Sequence, residues 1–179
     1  GRKVGAPAVT PDDLVLTPQG VRYRGRVFPC SIGKRGVTRD KREGDKATPA
    51  GVMRITGLWY RPDRLARPAP WAQPIGPGDL WCDDPAQRDY NHAVRAPFAA
   101  SHEVLRRADP LYDLILVTDW NWPVATPGAG SAIFLHQWRR PRYPTAGCIA
   151  FARRDLVRLA AEAAPGTRLV VPDALDSRA

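Results

Sequence analysis

The sequence is poor in the residues that carry thiol and metal chemistry. Its 179 residues include only 3 Cys and 3 His, and Cys30, Cys82 and Cys148 form no Cys-x-x-Cys pair. An odd cysteine count excludes a framework made only of disulfides, so at least one thiol is free in the monomer that we expect. Cys30 and Cys82 are either buried or paired with each other.

Long apolar runs are also absent. None approaches the roughly 20 residues needed to cross a bilayer, so we predict no transmembrane segment. Proline is abundant instead, at 19 of 179 residues. Because proline breaks helices, this content disfavours an all-helical bundle. Hydrophobic residues at 44% and charged residues at 25% are typical of a globular chain.

The hydrophobic pattern predicts a mainly β domain with one clear C-terminal helix. We expect a flexible arm at 1–13, a single domain at 14–172 and a frayed tail at 173–179. The helix is predicted to run from an Asp155 cap to Ala163. Alternating or continuous apolar residues predict strands at 14–17, 21–23, 52–58, 112–118, 131–136 and 168–171.

Residues 61–110 interrupt this pattern as a long, irregular excursion. Arg, Pro, Asp and Trp dominate it, and its periodicity is weak. Loops of this length inside a domain are usually functional or disordered. Because large aromatic residues lie in and beside it, we expect it to pack down as a lid or wall, with one short helix near 101–107.

The strongest chemical signal lies in residues 131–151. His136 ends a predicted strand, and the eleven residues 137–147 form a loop long enough to return Cys148 to its side. A Cys nucleophile needs a nearby base and a group that orients that base, for which the Thr145 hydroxyl or a carbonyl is a candidate. Gly147 permits a positive φ, and the N–H groups beside it are candidates for an oxyanion hole. The alternative is a buried Cys148 that only packs.

This segment resembles the L,D-transpeptidase catalytic domain, the YkuD-like family. The family signature is a His at a strand end, a variable loop, and Ser/Thr-His-Gly-Cys before a hydrophobic residue. The matching positions here are His136, Thr145, Gly147, Cys148 and Ile149. A second family block, Thr-Pro-x-Gly before a strand, matches residues 48–51, so the resemblance spans about 25–171.

The sequence departs from that signature in three ways. Ala146 stands where the signature has His, Ala150 stands where Arg or Asn is common, and the loop before Cys148 is short. A divergent, compact branch of the family shares these traits. It also shares a Lys-Arg-Glu-Gly-Asp stretch from Lys41, a Trp-Cys-Asp-Asp-Pro block from Trp81 and a Ser-His-Glu block from Ser101.

The resemblance implies a barrel-like or sandwich-like mixed sheet and a reaction on peptidoglycan. The Cys148 thiolate would attack a diaminopimelate carbonyl of a donor stem peptide, and D-alanine would leave with a proton from His136. An amine of an acceptor stem would then take the acyl group, whereas water would make the protein a carboxypeptidase. The usual cross-link joins the third residues of two stems, but attack at L-alanine, the first residue, stays open.

The same resemblance implies that neither a metal nor an organic cofactor is needed and that carbapenems acylate Cys148. Since the family acts outside the inner membrane, it also implies a periplasmic protein, although these 179 residues contain no export signal.

Five further residues are candidates for substrate binding. Arg142 and Lys41 suit stem carboxylates, although solvated surface charge is the alternative for each. His102 is a candidate to replace the missing signature His, unless it is structural. Tyr112 and Trp138 are candidates for the pocket wall, with strand anchoring and core packing as their alternatives.

The same residues also suggest other functions. A pI of about 10.1 and the Arg61/Arg64/Arg67 and Arg153-Arg154 clusters suggest nucleic-acid binding, but no recognisable motif supports it and we expect no nucleic-acid partner. Zinc held by Cys82, His92 and His102 lacks standard ligand spacing. A non-catalytic peptidoglycan-binding module would explain Ala146 and Ala150. Thiol labelling distinguishes this module from an enzyme, since a catalytic Cys148 of low pKa should react far faster than Cys30 or Cys82.

Overall fold

A computed structural model describes residues 8–176. The first strands are β1 (Leu14–Thr17), β2 (Gly20–Tyr23), β3 (Arg26–Phe28), β4 (Cys30–Ser31), β5 (Val37–Thr38), β6 (Thr48–Pro49), β7 (Gly51–Tyr60) and β8 (Gln73–Pro74). They are followed by β9 (Asp79–Cys82), β10 (Ala93–Arg95), β11 (His102–Val104), β12 (Leu114–Thr118), β13 (Phe134–Gln137), β14 (Ile149–Phe151), α1 (Arg153–Glu162), β15 (Arg168–Val171) and a 3₁₀ helix (Asp173–Leu175).

The main sheet is mixed and nearly closed. Its strands run in the order β3-β2-β1-β15-β7-β12-β13-β14-β4, with β8 beside β7. The pairs β1–β15 and β13–β14 are parallel. The two outermost strands, β3 and β4, are joined by Pro29 alone, so the sheet must curl until its edges approach each other. The predicted mainly β fold class is confirmed.

Two apolar clusters cover the two faces of this sheet. On β13, Phe134 lies in one cluster and Leu135 in the other, and on β12, Ile115 and Leu116 divide in the same way. This division follows from the alternation of side chains along a strand. The larger cluster also takes the buried face of α1, whereas the smaller one lies beneath the excursion.

The excursion has more regular structure than its sequence predicts. Strands β10, β9 and β11 form a three-stranded antiparallel sheet. Ile75, Trp81 and Leu105 anchor the excursion by burying their side chains in the smaller cluster. The short helix predicted at 101–107 is wrong, because residues 102–104 form β11 and pair with β9.

The C-terminal predictions need two corrections. Asp155 does not cap α1, because the helix begins at Arg153 and Asp155 lies in its first turn. The tail is not frayed over residues 173–176, since Asp176 is buried and accepts a hydrogen bond from the Arg39 N–H. Residues 1–7 of the predicted arm and 177–179 of the tail lie outside the described residues. Within 8–176, no helix has the length and apolarity needed to cross a membrane.

Candidate active site

Parallel pairing of β13 with β14 brings Cys148 and His136 to one cleft. Leu135 pairs with Ile149 and His136 with Ala150, which sets Cys148, the residue just before β14, next to Phe134. Phe134 and His136 point to the same face because they are two residues apart on one strand. Cys148 and His136 both line a cleft of about 350 Å³ on that face.

The Cys148 thiol is held by the backbone just before and at the start of β13. Its Sγ donates to the Ala132 carbonyl at 3.1 Å and accepts from the Phe134 N–H at 3.4 Å. Ala132 has a φ of 53°, an uncommon backbone conformation for a residue with a side chain. The Asn91 side chain accepts a hydrogen bond from the Ala132 N–H at 3.0 Å and so holds this conformation.

Thr145 and Gly147 shape the turn that leads to Cys148. The Thr145 hydroxyl donates to the Cys148 carbonyl at 2.6 Å and accepts from the Gly147 N–H at 3.1 Å. Gly147 has a φ of 140°, and a Cβ there would lie 2.8 Å from the Ala47 carbonyl oxygen. The turn therefore requires glycine, and the Gly147 N–H is already used within it. An oxyanion-hole role for the neighbouring Cys148 N–H stays a prediction.

His136 is oriented by a backbone carbonyl and an aromatic ring. Its Nδ1 lies 2.7 Å from the Gln137 carbonyl oxygen. Since a carbonyl only accepts, Nδ1 carries the proton and Nε2 keeps a free lone pair. The Tyr112 ring packs edge-on against the imidazole, with centroids 5.4 Å apart. Of the two orienting groups left open by the sequence, the structure shows the carbonyl.

Burial keeps both groups uncharged at rest. It raises the pKa of the Cys148 thiol to about 12, assisted by the negative charge of Glu103. It lowers the pKa of His136 to about 4. The shift of the thiol is opposite to the low pKa that the sequence predicts, because desolvation outweighs the lowering effects of the Phe134 N–H and the Lys41 charge. The resting pair is therefore a thiol and a neutral imidazole.

The excursion supplies Glu103, and not His102, to the cleft. On β11 these neighbours point to opposite sides, and Glu103 lines the cleft. The His102 Nδ1 instead lies 2.7 Å from the Ala100 carbonyl oxygen, and its ring packs against Phe98. The Tyr112 hydroxyl donates to Glu103 at 2.9 Å.

Of the other predicted substrate-binding residues, Trp138 lines the cleft with Tyr112. Lys41 lies beneath the turn, where its buried ammonium donates to Asp45 and to the Ala47 carbonyl. Arg142 lines a separate groove beside Cys30. Binding of stem carboxylates by Lys41 and Arg142 stays a prediction.

Sequence reasoning did not identify several residues that line the cleft. Glu103 has the clearest signal, because it follows His102 within the Ser-His-Glu block and lies on the opposite face. Ser131 donates to Glu43 at 2.6 Å on the same wall. The lining residues not identified as candidates include Glu43, Asp83, Glu103, Arg107, Leu111, Ser131 and Tyr143.

Three of the five arginines that suggested nucleic-acid binding form ion pairs within the protein. Arg61 is buried and pairs with Asp63. Arg64 and Arg153 both pair with the buried carboxylate of Asp113. These contacts tie the excursion and the helix to the main sheet.

The three cysteines are free, and Cys30 and Cys82 are buried, so they do not pair with each other. In the part of the chain that the structure describes, no group of three or more His, Cys, Asp or Glu side chains is placed to hold a metal ion. This finding gives no support to zinc held by Cys82, His92 and His102.

A comparison with models of known families matches residues 11–171 to the L,D-transpeptidase catalytic domain. Comparisons with curated proteins and with solved structures give no match.

Proposed function

The chain belongs to the L,D-transpeptidase catalytic domain family, whose members act on peptidoglycan, and we propose that it is itself a cysteine-dependent L,D-transpeptidase. The observation that carries the proposal is the placement of Cys148 and His136 in one cleft by the β13–β14 pair. Thr145 and Gly147 build the turn that presents the thiol.

In the first half-reaction, Cys148 attacks a stem-peptide carbonyl. Since the thiol pKa is raised, its proton must leave as the carbon–sulfur bond forms, and the Nε2 of His136, which lines the same cleft, is the proposed acceptor. The imidazolium then protonates the departing D-alanine amine, and the carbon–nitrogen bond breaks. A thioester on Cys148 and a neutral His136 remain.

In the second half-reaction, an amine of diaminopimelate on an acceptor stem attacks the thioester. The new amide bond forms, the carbon–sulfur bond breaks and Cys148 regains a proton. We propose a cross-link between third residues, with attack at L-alanine as the alternative register, and water in place of the amine would give a carboxypeptidase. The chemistry needs no cofactor, because the thiol supplies the covalent intermediate.

The setting proposed for this reaction is the periplasm. The family is generally extracytoplasmic, and its substrate, the cell-wall polymer, lies outside the inner membrane. Carbapenems are proposed as acylating inhibitors, since an activated lactam carbonyl reacts with Cys148 as a stem carbonyl does.

Mass spectrometry of purified disaccharide-tetrapeptide tests the proposal. The wild-type protein, Cys148→Ala and Cys30→Ala are incubated with the substrate after circular dichroism confirms that each is folded. Cys30→Ala is the matched control, because Cys30 is also a free thiol but does not line the cleft. We expect a dimer lighter by one D-alanine from the wild-type protein and Cys30→Ala, and none from Cys148→Ala.

The other products have distinct meanings. A dimer that has lost the peptide beyond L-alanine moves the acyl site to the first residue. Release of D-alanine without a dimer identifies a carboxypeptidase. No reaction with the folded wild-type protein would leave the non-catalytic binding module as the better interpretation.

A further inference from the structure

Glu103 is a titratable group inside the cleft that the proposed reaction has not used. It lies on β11 opposite Trp81 and lines the same cleft as Cys148 and His136. The Tyr112 hydroxyl donates to it at 2.9 Å, and the ring of the same tyrosine packs against His136. Glu103, Tyr112 and His136 thus form a chain of contacts within the cleft that Cys148 also lines.

The second half-reaction needs a base that acts before any bond forms, whereas in the first His136 accepts the thiol proton only as the carbon–sulfur bond forms. An amine is an ammonium ion near neutral pH and must lose a proton before it can attack. Burial lowers the pKa of His136 to about 4, so the imidazole is a weak acceptor. Burial raises the pKa of Glu103 to about 7, close to the value at which a general base is most effective at neutral pH.

We propose that Glu103 is a catalytic residue that binds the ammonium group of the acceptor stem and accepts its first proton. This proposal rests on the proposed function, because it assigns a residue to the transfer step. Tyr112 is a positioning residue, because its hydroxyl holds the carboxylate toward the cleft.

The charge of the cleft favours a cationic acceptor. Glu103 is approached by Glu43 and Asp83, whose negative charges raise its pKa, and by Arg107, whose positive charge lowers it. Arg107 is itself paired with Asp109, and this pairing weakens the attraction between Arg107 and Glu103. The charged and titratable groups that face Glu103 are Glu43, Asp83, Arg107, Tyr112 and Cys148.

The protons and bonds balance in this step. The acceptor ammonium gives one proton to the Glu103 carboxylate and becomes a neutral amine. The amine nitrogen bonds to the thioester carbon, and the carbon–sulfur bond breaks. The nitrogen then loses a second proton, which passes through His136 to the Cys148 sulfur. The products are an amide, a thiol and a protonated Glu103, which returns its proton to water.

The test separates the two half-reactions in wild-type protein, Glu103→Gln and Glu162→Gln. The glutamine side chain of the first variant keeps an oxygen that can accept from Tyr112 but cannot take a proton, whereas Glu162 lies at the end of α1 away from the cleft. Intact-protein mass spectrometry follows thioester formation with disaccharide-tetrapeptide. Quenched-flow with a diaminopimelate acceptor follows its transfer from pH 5 to pH 9.

We expect Glu103→Gln to form the thioester within about threefold of the wild-type rate and to transfer it about 100-fold more slowly near pH 7. The wild-type transfer rate should rise through pH 7, and the variant should lack that rise but recover at high pH as the amine loses its own proton. Glu162→Gln should match the wild-type protein.

Transfer by Glu103→Gln at the wild-type rate, or an equal loss in both half-reactions with the pH profile unchanged, would overturn the role of Glu103 alone. A wild-type protein that forms no thioester would overturn the proposed function and this role together. Loss of folding is controlled with Glu103→Asp, which keeps the carboxylate and should retain part of the transfer rate and its dependence on pH.

Discussion

At the residue scale, burial determines the protonation of the cleft. The same desolvation raises the pKa of Cys148 and lowers that of His136, so neither is charged before substrate arrives. The Cys148 thiol donates a hydrogen bond to the Ala132 carbonyl, and this bond stabilises the protonated form. In the proposed reaction, deprotonation of the thiol is therefore coupled to attack on the substrate carbonyl.

This protonation state predicts slow thiol labelling at neutral pH. Only the thiolate reacts with iodoacetamide, and the Cys148 thiol has a pKa of about 12. The labelling rate of Cys148 should therefore rise about tenfold per pH unit from pH 7 to pH 10 without reaching a plateau. Peptide mapping by mass spectrometry after timed quenching measures it.

The controls for this labelling experiment are internal. Cys82 is fully buried and should label more slowly than the half-buried Cys148 at every pH. Cys148→Ala identifies the signal of the cleft thiol. A plateau in the rate below pH 8 would contradict the prediction and would show a preformed thiolate–imidazolium pair.

At the element scale, the accuracy of sequence reasoning follows the strength of the hydrophobic pattern. Strands β7, β12 and β15 carry alternating or short continuous apolar residues, and the predicted strands lie close to their observed positions. Strands β9 and β11 each hold only a few residues among Arg, Pro and Asp, and their partners are distant in sequence, so no local period reveals them.

The candidate site shows the same limit. Cys148, His136, Thr145 and Gly147 could be chosen from the sequence because they lie close together along the chain and match a signature. Glu103 could not, since its place in the cleft depends on which face of β11 points inward. If the register of β11 shifted by one residue, His102 would face the cleft in place of Glu103.

The start of α1 offers a stabilising substitution. Ala152 has the extended backbone of an N-cap but makes no side-chain cap. Ala152→Ser should add a hydroxyl acceptor for the free N–H groups of the first turn, where Asp155 already stands at the third position. We expect the free energy of unfolding to rise by about 1 kcal/mol, measured by urea denaturation.

Ala161→Ser is the matched control for the cap, because it introduces the same side chain at an exposed position inside the helix. It should lower stability slightly, since serine is a poorer helix former than alanine. Equal effects of the two substitutions would show that the cap is not the cause.

At the scale of the whole molecule, the main sheet joins its first strand along the chain to its last. β1 pairs in parallel with β15, in the middle of the main sheet. Just before β1, buried Asp13 accepts two hydrogen bonds from Arg168 on β15. β15 also pairs with β7, which pairs with β12, so this contact lies in the scaffold that supports the cleft strands.

The Asp13–Arg168 pair predicts a pH-dependent contribution to stability. The hydrogen bonds from Arg168 lower the pKa of Asp13 to about 2, below the ordinary value of about 3.9. Because the folded chain binds this proton less tightly than the unfolded chain, the stabilisation is complete above about pH 4 to 5 and is lost as the pH falls toward 2. Asp13→Asn should therefore lower Tm by several degrees between pH 5 and 7, and the difference from the wild-type protein should disappear near pH 2.

Calorimetric scans of both proteins measure this difference in Tm. Asp12→Asn is the control, because exposed Asp12 makes only a surface contact with Arg24. This substitution should leave Tm nearly unchanged. A difference that stays constant down to pH 2 would mean that asparagine disturbs packing and that the charge of Asp13 contributes nothing.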